Sequence, residues 1–201
     1  MINIYDYETL STDLDTAPVV SVAAMTLDED RFLSDNPFSF LELVSMAKIM
    51  KFNVTEQVQK YGRVIDPNTL AWWKSLGPEA MKAIAPMKSD VSITELHGFL
   101  TSTLTPKELV FTRGNSFDPV LTTSICKLLG QPEPYKFWMV RDTRTFIEGI
   151  ALGHAIDINN SFIPATITEG EFIAHNPAHD IAMDICRIQG VLRTVFKNET
   201  L

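Results

Sequence analysis

Two acidic residues one position apart, Asp6 and Glu8, close the first apolar segment of the chain. Side chains alternate faces along an extended strand, so both carboxylates project from the same side. Like charges held that close make each other costly to ionise unless a cation sits between them. Hard carboxylate oxygens suit Mg²⁺ or Mn²⁺ better than zinc. A solvated strand end is the alternative reading of a single D-x-E. Asp118 ends the segment Arg113-Gly114-Asn115-Ser116-Phe117-Asp118, where a strand hands over to a helix. Ligand sites of open α/β sheets gather at such handovers, although an acid there also serves as a helix cap. His175 lies just ahead of a helix opening at Pro177, and Asp180 lies in its first turn. Both can face one cleft, with the histidine as proton acceptor. The alternative is that Asp180 only complements the positive end of the helix dipole. His179 precedes Asp180 directly and points to another face, while Asp184, one turn further on, is the residue most easily confused with Asp180.

These groups need elements to position them. Residues 2–5 and 18–27 read as strands, and 38–44 as a third. The short polar connector at 12–16 makes the first two antiparallel neighbours. Residues 45–65 read as an irregular excursion, an edge or interface segment near the substrate. A helix is expected over 67–76, with Asp66 as N-cap and Pro67 at its first position. Gly77-Pro78 ends it, and a brief helix runs through residue 82. Apolar residues at 93, 96, 99, 100 and 104 have helical spacing. The pattern then alternates: a strand over 108–112, a helix over 116–129 ending at Gly130, a strand within 134–140, and a helix over 142–152. A proline-bearing loop covers 157–170, and the last helix runs from Pro177, capped by Asn176, to about residue 196. This order predicts an α/β fold: a mixed β-sheet with antiparallel first strands, then parallel ones, and helices on both faces.

The 201 residues suffice for one domain, expected to span 1–201. Cys126 and Cys186 both sit in apolar helical patterns, so a disulfide framework is not expected and a reduced, cytoplasmic protein is. No apolar run is long enough to span a bilayer, and residues 1–10 lack the basic lead-in of a signal peptide. The formal charge of −8 disfavours a tight, architectural nucleic-acid binder. It is compatible with an enzyme that grips only a few nucleotides, where two divalent ions would add about four positive charges locally. Phosphate-loop, nucleophile-elbow and Cys/His zinc spacings are absent.

Taken in order, D-x-E on the first strand, an acid after a later strand and H-x-x-x-x-D on the last helix resemble the DnaQ-like (DEDDh) 3′→5′ exonucleases of the ribonuclease H-like fold. The similarity is strongest to phage exodeoxyribonucleases of the DexA type and related bacterial exoribonucleases. It extends to Ala71-Trp72-Trp73-Lys74, Pro78-Glu79-Ala80, Gly114 to Asp118, Lys136-Phe137-Trp138 and Arg141 to Thr145. The resemblance implies two divalent ions, Mg²⁺ or Mn²⁺, held by Asp6, Glu8, Asp118 and Asp180, with His175 taking the proton from the attacking water. It implies that Thr9 and Leu10 meet the terminal nucleotide through backbone groups and that Phe117 walls its base. Arg113, Arg141 and Arg144 are implied phosphate ligands, with an internal ion pair as their alternative; core packing is the alternative for Phe117, Trp72, Trp73 and Trp138. The expected substrate is the 3′ end of single-stranded DNA, possession of a phage origin would place the enzyme in a host cytoplasm, and RNA is the runner-up. A catalytically silent module and a phosphodiesterase for short oligonucleotides are the other readings. No membrane partner is expected, and the oligomeric state is left open.

Overall fold

In the computed structural model, which describes residues 1–168 and 170–199, five strands form one mixed sheet in the order β3-β2-β1-β4-β5. β1 (Ile2–Thr9) pairs antiparallel with β2 (Val19–Leu27) and parallel with β4 (Leu109–Thr112). β3 (Lys48–Lys51) adds antiparallel to β2, and β5 (Val140–Asp142) parallel to β4. The expected mixed sheet is therefore present. Three of its parts differ from expectation. The strand expected within 134–140 begins only at Val140, after a 3-10 turn over Phe137–Met139. Residues 38–44 are not a strand: Ser39 accepts a hydrogen bond from the Glu42 amide and starts α1 (Phe40–Met46), whose Phe40 and Leu43 are buried three residues apart. The excursion at 45–65 is ordered as edge strand β3 followed by α2 (Val54–Tyr61), which ends at Gly62 in the left-handed conformation.

The period of two in β1 divides the core. Ile2 and Ile4 face a cluster built with Phe40, Ile147 and the apolar stripe of α8 (Pro177–Lys197). Tyr5 and Tyr7 face the opposite cluster, against α5 (Leu96–Thr103) and α6 (Asp118–Leu129). Continuing the alternation, Asp6 and Glu8 must emerge on the α8 face. There α8, started by Asn176 accepting from the Ala178 and His179 amides, delivers its first turn. α3 (Pro67–Ser75) and α4 (Pro78–Ile84) cover the far end of β1, with Trp73 buried against Leu10, Val20 and Ile84. α7 (Thr143–Gly153) follows β5, capped by Asp142. Among the described residues no helix is long and apolar enough to cross a membrane.

Candidate active site

β4 pairs with β1 only as far as Ile4. Beyond that point the β1 edge is open, and Asp118, at the first position of α6, fills the vacancy: its Oδ1 accepts the Tyr7 amide at 3.2 Å. α6 is held in this register from below, where Thr122 Oγ1 donates to the Asp118 carbonyl and is hydrogen-bonded to the hydroxyls of Tyr5 and Tyr7. Asp118 is thus anchored at the open edge of β1, near both Asp6 and Glu8. From the α8 face, Asp180 and His175 approach Glu8, and one potential ligand atom from each of these three residues lies within 4.8 Å of the others. His175 has a positive φ of 61°, unusual for a side-chain-bearing residue and a conformation that collects at functional sites. Its backbone N–H is close enough to the Asp180 carboxylate to favour the ionised form, and its ring lies edge-on to Trp72 at 4.8 Å between centroids.

Four acids in one partly buried place are poorly solvated and repel one another. Burial first, then the charges of Asp118, Glu8 and Asp180, hold Asp6 well above the ordinary carboxylate range. Glu8 is pushed up to about 9 by burial and by Asp180 and Asp118. Asp118 and Asp180 each rise to about 7, chiefly through burial, with the Tyr7 amide relieving the former and the His175 amide the latter. Arg144 near Asp118, and Arg187 and Arg113 near Asp180, offset this only in part. An all-oxygen set of this kind with one histidine beside it fits hard divalent ions, which remove the repulsion that protonation would otherwise relieve. Burial lowers the His175 value, so the ring is neutral and able to accept a proton near neutral pH.

The two residues that could be mistaken for site members are occupied elsewhere. His179 accepts the Ile173 amide on Nδ1 and packs on Phe40. Asp184, 2% exposed, accepts from Arg113 at 2.7 Å, Arg187 at 3.0 Å and Thr143 Oγ1 at 2.6 Å. This also corrects the expectation for Arg113. Its guanidinium is turned into the Asp184 pair and onto Asn160 and Ser161, so it is not presented to a phosphate. Leu10 likewise departs from its expected contact: its side chain lies in the core beneath Trp73, its N–H donates to the Pro18 carbonyl, and its carbonyl accepts the Asp66 amide. With both backbone groups committed, Leu10 supports the cleft floor instead of reading a 3′-hydroxyl.

Beside Glu8 a cleft of about 520 Å³ is lined by Thr9, Asp66, Asn68, Thr69, Trp72 and Phe117, among others. Thr9 and Phe117, both expected beside a terminal nucleotide, are among its lining residues. Trp73 Nε1 donates to the Thr9 carbonyl at 3.0 Å and fixes that edge of the strand. A β-bulge between Glu8 and Thr9 re-aims the backbone at the same point. The wall formed by Asp66, Asn68 and Thr69 was not identified from sequence as functional; Asp66 announced itself only as a cap, which it is.

The model of the Rv2179c-like 3′-5′ exoribonuclease domain matches residues 2–183. The chain belongs to that family, and with it to the DnaQ-like 3′→5′ exonucleases. An exodeoxyribonuclease of Enterobacteria phage T4 is 34% identical over 209 residues, covering 94% of this chain and 88% of its own. Exonuclease I of E. coli, solved as a zinc-bound complex with single-stranded DNA, superposes with a TM-score of 0.55 at 17% identity over 98% of this chain. The Methylocaldum szegediense exonuclease I gives 0.58 at 14% identity over 98%. These likenesses establish the ribonuclease H-like fold. The chain spans only 40% and 41%, respectively, of those longer structures.

Proposed function

We propose that this DnaQ-like exonuclease removes nucleoside 5′-monophosphates one at a time from the 3′ end of single-stranded DNA, with two Mg²⁺ or Mn²⁺ ions bound by Asp6, Glu8, Asp118 and Asp180. The observation that carries the reading is the approach of Asp180 and His175 to Glu8 within 4.8 Å, with Asp6 and the Asp118 carboxylate beside them at the end of β1, next to a cleft of nucleotide size. The ions would supply charge stabilisation for both the attacking and the leaving oxygen of an in-line displacement. The chain's own part is to orient and to move a proton. His175 is positioned by its backbone link to Asp180 and by Trp72 to take the proton from the attacking water. Phe117 and Trp72 offer apolar contact to the terminal base, which tolerates any sequence because every base has a π-face. Thr9 and the Asp66–Thr69 wall face its sugar.

DNA is favoured by the phage exodeoxyribonuclease, which is matched over nearly its whole length. RNA is the second reading, favoured by the description of the family itself. The decision rests on whether the cleft admits a 2′-hydroxyl. Matched labelled DNA and RNA single strands with Mn²⁺ separate them: DNA should shorten from its 3′ end faster. Faster loss of RNA would reverse the assignment, and no shortening of either would end it. Asp6→Ala should abolish metal-dependent cleavage with the fold intact.

A further inference from the structure

Beyond the terminal-nucleotide cleft, the strand must leave the site in one direction, and the chemistry of displacement selects it. In an in-line reaction the attacking and departing oxygens lie on opposite sides of phosphorus. With His175 serving the attack, the departing 3′-oxygen, and the upstream strand attached to it, lies on the side away from His175. That is the Asp118 side, over the loop from Arg113 to Phe117. A recess of about 230 Å³ with Lys51, Lys82 and His175 on its walls lies on the attacking side.

The surface on the Asp118 side has what a nucleic-acid strand needs. Gly114 has φ +117°, and a Cβ built on it would lie 3.2 Å from Arg144 Nη1, so the guanidinium rests on bare backbone there. Arg113 and Arg187 are consumed by Asp184. Among the described residues Arg144 makes no hydrogen bond or ion pair, and its side chain is exposed. Next to it a groove of about 220 Å³ starts at Asn115 and ends at Phe137 and Val140. At its end Phe137 and Trp138, 78% and 58% exposed, stand edge to face with centroids 5.1 Å apart. Lys136 and Arg141 flank them, also exposed and without an acidic partner among the described residues. Arg141 donates only to the Trp138 and Val140 carbonyls. In a chain of charge −8, three cations without a salt-bridge partner around two bare aromatic rings are an arrangement for an anionic, base-bearing polymer.

We propose that the strand upstream of the scissile bond crosses the loop from Arg113 to Phe117, with Arg144 holding the next phosphate and Phe137 and Trp138 stacking the bases that follow. The proposal rests on the exonuclease reading and extends it: this chain should prefer strands long enough to reach the aromatic pair over dinucleotides. Glu133 also lines the groove, but Thr123 Oγ1 donates to it at 2.9 Å, which turns its carboxylate toward α6.

The test uses the full chain. Binding of 5′-fluorescein-labelled oligothymidylates, from dinucleotide to octanucleotide, is followed by anisotropy with Mg²⁺ in the non-cleaving Asp6→Asn background. Cleavage of the same unlabelled strands is followed in the otherwise native chain. Trp138→Ala should raise the Kd and KM of the octanucleotide about 5- to 150-fold, the range expected for one lost base stack, and leave the dinucleotide unchanged. Trp138→Phe should restore most of the loss. Arg144→Gln should lower the slope of log Kd against log salt by about 0.7, the signature of one single-strand phosphate. It should also erase the advantage of a 5′-phosphorylated dinucleotide over the unphosphorylated one. Lys82→Ala, on the attacking side, should change none of these. Unaltered octanucleotide affinity in Trp138→Ala, or loss of length dependence in Lys82→Ala, would overturn the track while cleavage by the native chain upheld the exonuclease reading. Absence of both binding and cleavage in the native chain would overturn both.

Discussion

Asp180 and Asp184 lie one turn apart on α8, and replacing each with asparagine should move stability in opposite directions. Asp184 is 2% exposed and faces two guanidinium groups and the Thr143 hydroxyl. The amide keeps the shape but removes the charge. Breaking a buried pair by removing one partner costs about 3–5 kcal/mol. Arg113 keeps Asn160 and Ser161, and Arg187 keeps the carbonyls of Ser161 and Phe162, so the loss should lie near ~3 kcal/mol. In a protein of this size that lowers Tm by roughly 6–12 °C. Asp180 is the reverse case. Its pKa is raised from 3.8 to about 7, so above pH 8 its ionised form burdens the metal-free fold by at most ~4 kcal/mol, at about 1.4 kcal/mol per unit. Asp180→Asn should therefore raise the metal-free Tm. Thermal unfolding in EDTA at pH 8, followed by near-UV circular dichroism, measures both. Metal-dependent cleavage should vanish in Asp180→Asn and survive in Asp184→Asn below its lowered Tm. Equal destabilisation by the two variants, or loss of activity confined to Asp184→Asn, would refute this division of labour.

The site acids make the metal-free protein sensitive to pH in the direction opposite to an ordinary salt-bridged fold. Folded-state values of Asp6, Glu8, Asp118 and Asp180 all lie above their unfolded ones, so the folded state binds more protons and stability falls as pH rises through about 7 to 9. Tm in EDTA should decline over that interval, and saturating Mn²⁺ should flatten the slope; a rising Tm would contradict the repulsion argument. His175→Ala should lower kcat by about 10²–10⁴-fold with little change in KM. In the native enzyme the acidic limb of kcat should lie below the ordinary histidine value of ~6.5, because burial disfavours the protonated ring. A kcat unchanged in the alanine variant would remove the histidine from the mechanism. Trp73→Phe deletes the donor to the Thr9 carbonyl and leaves a buried acceptor unpaired, at about 1–3 kcal/mol. Its Tm should fall and its KM rise, since Thr9 borders the cleft; a change in neither would mean that the bond does not position that edge.

Features encoded within a few neighbouring residues could be read directly from the chain. The alternation of Ile2, Ile4, Asp6 and Glu8 determined that both acids share the face of the apolar stripe, because strand geometry has a period of two. Asp66-Pro67, Asn176-Pro177 and Gly130 marked helix ends because caps and breakers act through local hydrogen bonds and φ alone. Residues 38–44 were misread as a strand because a short apolar run carries no clear period, and burial of Phe40 and Leu43 against α8 makes it helical. The arginines were beyond local reasoning altogether. Arg113 and Arg144 stand in similar surroundings along the chain, yet one is neutralised by an acid 71 residues away and the other is left exposed on Gly114. The same long-range pairing makes Asp184 a structural acid while Asp180 stays within reach of Glu8 and His175. Charge type and spacing are properties of the chain; which charges find partners, and which stay free to meet a ligand, depends on the packing of elements distant in sequence.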